Sequence, residues 1–399
     1  MARDRRAERD SGKRLLVLGA GPAQLGLLEA ARERGLFVVA ADRDPGAVGF
    51  ALADRRAIVS NEDEPALERL ARAEAVDGVI APGIDWPVAI AARIAYRLGL
   101  PHAISPEAAV LATSKLRQRR RLAEAGVAQP RWQLVEEASE VELEPPVVVK
   151  APDRQGQRGL SLVRSAEELA PAVAWAREAS RGGTALVEEL ADGPEVTVAG
   201  LMSGGSLAAS VVTDRVVAEP PAFGVALAHV WPADAESGVV VAAAERAAVA
   251  LGVENGPVYV QLRVASAGPV VVELAARLGG GHDAELAYAA TGLDLNGAAL
   301  AAALGDDSLV RPVSAAAGGA CARFLVPPEG ELRAVDGVEA ARRVDGVFAV
   351  RVYRVPGHRF GPFRTGADRA GAVQAVGADR AEALARADTA AAAIEFAVD

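Results

Sequence analysis

Residues 256–281, GPVYVQLRVASAGPVVVELAARLGGG, bring together side chains able to do chemistry. Two β-type runs, Val258–Val264 and Pro269–Leu274, flank a Ser266-Ala267-Gly268 turn and predict an antiparallel hairpin. Side chains alternate faces along a strand, so Tyr259, Gln261 and Arg263 share a face of the first run, and Val270 and Val272 share one on the second. Glu273 closes the second strand, with Arg277 and Gly279-Gly280-Gly281 just after it. A carboxylate and an amide oxygen on adjacent strands suit a hard divalent cation that also takes phosphate oxygens. An arginine beside them can hold a carboxylate or phosphoryl group, and glycines let backbone amides approach an anion. An ordinary hairpin with a glycine-rich exit fits the same residues.

Lysine usage singles out two further positions. Of 43 basic residues only three are lysine: Lys13, Lys115 and Lys150. Arginine serves wherever a solvated positive charge suffices, so the two internal lysines mark places where a compact ammonium is wanted, as in a narrow phosphate site. Val147–Lys150 reads as a short strand delivering Lys150 into PDRQGQRG, whose Gly156, Arg158 and Gly159 could cover phosphates with amides and a guanidinium. No Gly-Lys-Ser/Thr follows, and Leu160–Val163 returns as a strand, so this is a lid or a polar hairpin rather than a P-loop. Lys115 opens a helix over Thr113–Gly126, and the basic run Arg117–Arg121 reads as its solvated face. Thr184–Glu189 is a strand ending in two acids; Glu188 and Glu195 could accept from an adenine amino group and from ribose hydroxyls, or simply face solvent.

The elements that must position these residues form βα units at the start. Strands at Arg14–Gly19, Phe37–Ala41, Ala57–Ser60 and Gly78–Ala81 alternate with helices over Ala20–Arg34, Glu64–Ala75 and Trp86–Leu98, which implies a parallel sheet covered on both faces. The glycines from Gly19 to Gly26 miss the dinucleotide spacing because Gln24 stands at the third position, although Asp42 is suitably placed for a ribose. Asp42 and Asp85 lie at strand ends and read as solvated loop acids. Ser105 caps a new helix, and after an Ala-rich helix near Ala301 the chain ends in α+β structure. That end has strands at Gly318–Leu325 and Gly346–Val355, a helix entered through PPEGEL near Val338–Arg343, and another over Ala378–Ala393.

Composition narrows the classes. The 399 residues allow two to four domains, and 51% hydrophobic with 4% aromatic residues predicts tight aliphatic cores. A net charge of −10 without a basic stripe argues against nucleic acid, and no apolar run is long enough to span a bilayer. Cys321 is the only cysteine, which excludes a disulfide framework. Met1–Lys13 has no apolar segment and reads as a floppy tail, and the expected location is cytoplasmic.

Taken together, these motifs resemble the ATP-grasp superfamily over most of the chain. The implied fold is α/β and α+β: a disordered tail 1–13, a Rossmann-like pre-ATP-grasp domain 14–111, an ATP-grasp domain 112–300 (lid 112–186, larger subdomain 187–300) and a C-terminal α+β domain 301–399. The C-terminal segment looks like that of amino-acid ligases, and the nucleotide site is laid out as in carbamoyl-phosphate synthetase and biotin carboxylase. The resemblance implies ATP held by Lys115, Lys150, Arg158, Gly159, Glu188, Glu189, Leu190 and Glu195, and Mg²⁺ (or Mn²⁺) on Gln261 and Glu273. It also implies an acyl phosphate against Arg277 and the amides around Gly280, with Lys150 and His282 in catalytic roles. His229 is a further candidate for the cleft wall. The departure is Ala275, where much of the family has an asparagine metal ligand. The expected activity is an ADP-forming ligase joining a carboxylate to an amine. Its expected partners are those small molecules and a second copy of the chain. The alternatives are a catalytically impaired ATP-binding relative, a nucleotide sensor, and an NAD(P)-dependent oxidoreductase built on the N-terminal glycine turn.

Overall fold

A computed structural model describes residues 12–311 and 316–399. The N-terminal region is a four-stranded parallel sheet in the order Arg55–Ile58, Phe37–Asp42, Arg14–Leu18, Gly78–Ile80. Its middle strands are buried aliphatic runs, as a sheet covered on both faces requires. The first helix begins only at Leu25, after a short 3-10 turn, because side chains occupy the glycine turn. Gln24 accepts from the Gly21 amide at 2.9 Å and donates to the Pro82 carbonyl at 2.7 Å. Asp42 accepts from the Ala20 amide at 2.9 Å. A dinucleotide would need both places, so this turn is a self-satisfied structural loop, and the oxidoreductase reading loses its anchor. The tail expectation lies mostly outside the described residues, but Lys13 is described and is tied down, donating to the Leu304 carbonyl at 3.0 Å.

The lid is a four-stranded antiparallel sheet in the order Trp132–Val135, Ala185–Glu189, Val147–Lys150, Ser161–Val163, backed by the helix Leu169–Ala179. Below it runs an eight-stranded antiparallel sheet, ordered Gly268–Ala275, Gly256–Ala265, Glu195–Ser203, Ser206–Val217, Ala226–Trp231, Gly319–Leu325, Gly371–Gly377, Val347–Val352. The last three strands come from the expected C-terminal domain, so the sheet runs through the expected boundary at 300/301 without a break. The Ala-rich helix starts at Leu295, where the Asp294 side chain caps the Gly297 amide, and it packs on the N-terminal region. PPEGEL leads first into a strand that the sequence reading missed, Gly330–Asp336, and the expected helix follows at Val338–Arg342; with Arg359–Phe360 and Glu395–Val398 the strand forms a small third sheet. Leu332, the only residue of that strand buried as deeply as the core, faces Phe360 and Phe396. A period of two beats any local helical preference there. No helix among the described residues is long and apolar enough to cross a membrane.

Candidate active site

Between the lid sheet and the eight-stranded sheet lies a cleft of about 630 Å³, open to solvent and lined by Lys115, Lys150, Glu188, Glu195, Gln261 and Glu273. These residues come from six separate elements, and each is aimed by its own local structure. Lys115 opens the helix Lys115–Glu124, whose N-cap Ser114 accepts from the Arg117 amide. Lys150 ends a lid strand whose neighbour carries Glu188 opposite Val148, two residues away in register and so on the same face. Gln261 and Glu273 are directly opposed partners on the hairpin, with a bulge immediately after Gln261. Glu195 begins the strand next to theirs.

Every charge in the cleft has an internal partner. Lys150 and Arg119 both grip Glu188, at 2.6 Å and 2.7 Å, and all three are almost wholly buried. Burial alone would raise the Glu188 carboxyl, yet Arg119 and Lys150 hold it down at about 2. Lys115 meets Glu273 at 2.8 Å; burial works against its charge, and Glu273 more than compensates, so its pKa is raised. Lys150 goes the other way: desolvation outweighs Glu188 and lowers it. Glu195 is held by Arg215, with Arg263 at 3.6 Å. Anionic phosphates entering this cleft would compete with carboxylates for the same ammonium and guanidinium groups.

A divalent cation fits the hairpin only in part. Gln261 and Glu273 offer two oxygens side by side. Ala275 sits 3% exposed opposite Tyr259 and offers no oxygen, and no group of three or more His, Cys, Asp or Glu side chains among the described residues could hold a metal. The donor set suits a hard cation that arrives with a polyphosphate and takes most of its ligands from it and from water.

Several expected site residues take other places. Arg158 is exposed and outside the cleft lining, which the loop reaches instead through Gln157 and Leu160. Gly159 has φ +71° and is packed so that a Cβ would lie 2.7 Å from that of Ala179; it seats the loop on the lid helix. Glu188 has no free carboxylate oxygen for an adenine, because Arg119 and Lys150 take both. Glu189 and Leu190 line the cleft, Glu189 with its exposed side chain on Arg131 at 2.9 Å and Leu190 with its amide on the Pro146 carbonyl. None of Gly279, Gly280 and Gly281 has positive φ; each is needed for space. A Cβ at Gly280 would lie 2.9 Å from the Gly83 carbonyl, and the Gly281 amide is taken by Asp283.

His282 is a structural joint rather than a proton carrier. Its ring is buried, one nitrogen lies 3.0 Å from Glu285 and the other 2.5 Å from the Tyr353 hydroxyl, so neither is left for a substrate. It clamps the glycine exit to the C-terminal strands. His229 is also buried, 3.5 Å from Asp283, and burial pushes its pKa down to about 4. It does not line the cleft between the two sheets.

Three functional groups escaped the reading of the sequence. Arg119, inside a run assigned to solvent, is 1% exposed and also donates to the Val271 carbonyl at 3.1 Å. The signal was there: Lys115, Gln118, Arg119 and Leu122 fall at helical i, i+3, i+4, i+7 spacing, on one face. Arg215 lines the cleft from a strand that the sequence had not suggested. Asp85 is 7% exposed rather than solvated, and meets Arg277 at 2.5 Å. Nothing local to either would have revealed those partners.

The chain is similar to known proteins in sequence and in fold. Residues 143–285 match the ATP-grasp domain, and residues 323–399 match the L-amino acid ligase C-terminal domain 2. Over 401 aligned residues, 94% of this chain and 81% of the relative, the chain is 29% identical to an uncharacterized protein, y4rH, of Sinorhizobium fredii. In fold it is similar to an L-amino acid ligase from Bacillus licheniformis, with TM-score 0.82 and 21% identity over 97% of this chain and 99% of that one. It is also similar to a phosphoribosylglycinamide synthetase from Anaerococcus prevotii, with TM-score 0.78 and 20% identity over 98% and 100%.

Proposed function

We propose that this chain, which carries an ATP-grasp domain followed by a C-terminal domain of the L-amino acid ligase type, is an ADP-forming ligase. It would activate a carboxylate as an acyl phosphate and join it to an amine, on amino-acid-like small molecules. The observation that carries the reading is convergence: Lys115, Lys150, Gln261 and Glu273 share one cleft although the hairpin and the lid are far apart in the chain.

Lys115 and Lys150 take the phosphates, Lys115 exchanging Glu273 for phosphoryl oxygens. Gln261 and Glu273 would hold the divalent cation, which supplies charge neutralisation at the transferring group. Glu188, held ionised by Arg119, keeps the Lys150 ammonium aimed at the cleft. Adenine is left to the part of the cleft lined by Glu189, Leu190 and Ala191, with Glu195 at the sugar. A substrate carboxylate oxygen attacks the γ-phosphorus and the bond to the β-bridging oxygen breaks, releasing ADP. Arg277 steadies the acyl group while an amine nitrogen attacks its carbon; phosphate leaves, and the surplus proton passes to solvent. Placement and electrostatics, rather than covalent help from the protein, carry both steps. A catalytically impaired ATP-binding relative is the second reading, and Ala275 is what favours it.

A coupled ADP-release screen with Mg²⁺ and ATP across pairs of amino acids and small carboxylic acids tests the proposal. ADP should form only when a carboxylate and an amine are both present, and Lys150→Ala should abolish it. Nucleotide binding with no ADP from any pair would favour the impaired relative.

A further inference from the structure

Asp85 and Arg277 form a pair whose chemistry exceeds structural need. Asp85 stands at the N-cap of the helix Trp86–Leu98, where an aspartate ordinarily accepts from a first-turn amide, yet it makes no capping bond. Its Oδ1 lies 2.5 Å from an Arg277 nitrogen without the alignment of a hydrogen bond, and that buried oxygen has no donor. The Arg277 Nε is likewise buried without a partner. Buried polar atoms of this kind are rare without a ligand or water to satisfy them.

The pair is firmly mounted. Arg277 donates to the Leu278 carbonyl at 2.8 Å and lies over the Tyr259 ring at 5.7 Å. The Gly83 amide donates to the same Leu278 carbonyl at 3.3 Å, tying the Asp85 loop to the glycine exit. Lys115, which lines the cleft, feels the charge of Asp85. Arg277 also lines a small apolar pocket, partly open to solvent, with Val79, Val88, Ala91, Ile104 and Leu278. Val88 follows Asp85 by three residues and so shares its helix face.

From this geometry we infer that Asp85 is a specificity-determining residue that admits only a zwitterionic acyl donor, binding its α-ammonium while Arg277 binds its carboxylate and the apolar cavity takes an aliphatic side chain. This rests on the ligase reading for the role of Arg277. A plain carboxylate reaching Arg277 must push Asp85 off the guanidinium it meets and strand a buried carboxylate, which is costly. A zwitterion opens the pair without that penalty: one ion pair becomes two, and the unfilled hydrogen-bonding capacity of both side chains is met. The empty enzyme thus holds Asp85 where it repels the wrong acids and waits for the right ones.

The test uses the full-length protein and four aliphatic α-amino acids (alanine, valine, leucine, methionine), each beside its des-amino acid. Binding is measured by calorimetry with Mg-ADP present, and turnover by ADP release. For at least one amino acid the wild type should bind at least ~100-fold more tightly than to the des-amino partner, because a site built around a polar group rejects ligands lacking it. Asp85→Asn should collapse that ratio to within ~10-fold by weakening the amino acid and admitting the plain acid. Retained Mg-ADP binding shows that the variant is folded, and the wild-type comparison stands even if it is not. Equal binding of both acids by the wild type, binding of neither, or undiminished discrimination by Asp85→Asn overturns the inference. Selective binding without ADP release leaves Asp85 its role and refutes the ligase reading instead.

Discussion

Replacing Arg119 by methionine separates a buried clamp from a solvated helix face. The run Arg117–Arg121 contains four arginines, and only Arg119 is buried. It grips both oxygens of Glu188, at 2.7 Å and 3.1 Å, and reaches the Val271 carbonyl. Removing one partner of a buried pair costs ~3–5 kcal/mol, because the remaining charge is left short of partners. Lys150 still holds Glu188, which places the expected loss near ~3 kcal/mol. Glu188→Gln in the same background should recover part of it, as a double-mutant cycle would show. Arg120, the exposed neighbour, is the control, and its methionine variant should change stability by less than ~0.5 kcal/mol. Urea unfolding followed by the fluorescence of Trp132 and Trp175, both in the lid, reads the effect locally. With Arg119 gone, Glu188 draws on Lys150 alone, so MgATP binding should weaken ~10-fold, a change of about 1.4 kcal/mol. If the two variants unfold within ~0.5 kcal/mol of each other, the buried clamp does not exist and Lys150 is not aimed as described.

Acid stability should depend on Glu188 and Glu285, both held at about 2 from an ordinary 4.5. Their folded pKa values lie below the unfolded ones, so their contribution is complete above about pH 4.5 and fades as pH falls towards 2, on the order of 3 kcal/mol for each. Glu285→Gln should flatten the fall of the unfolding midpoint between pH 5 and 2.5 by about half; an unchanged slope rejects the assignment. His282→Gln should cost ~1–3 kcal/mol, through the stranded Glu285 and Tyr353 groups, while leaving the shape of the pH–rate profile intact. A lost ionisation in that profile would restore His282 to the chemistry. Gly280→Ala forces a methyl against the Gly83 carbonyl and should destabilise by ~1–3 kcal/mol, read as a lower thermal midpoint; no change would mean that the two loops do not touch.

Local pattern was enough for much of this chain. The βα alternation predicts the parallel sheet, and the hairpin around Ser266 emerges in register with Gln261 opposite Glu273, because strand alternation and turn residues act over a few positions. Rare lysines among arginines singled out two cleft residues for a similar reason: the choice of cation is a property of one side chain in one site. Tertiary structure alone decided what those side chains meet. Arg119 turns inward only because Glu188, 69 residues on, waits on a lid strand. Asp85 is a partner of Arg277 rather than a solvated loop acid only because the N-terminal loop is pinned to the glycine exit. His282, next to glycines that suggested chemistry, becomes a joint because Tyr353 arrives from the far end of the sheet. Burial and charge pairing are set by distance in space, which a linear reading does not measure, whereas strand period, turn chemistry and side-chain type are written residue by residue.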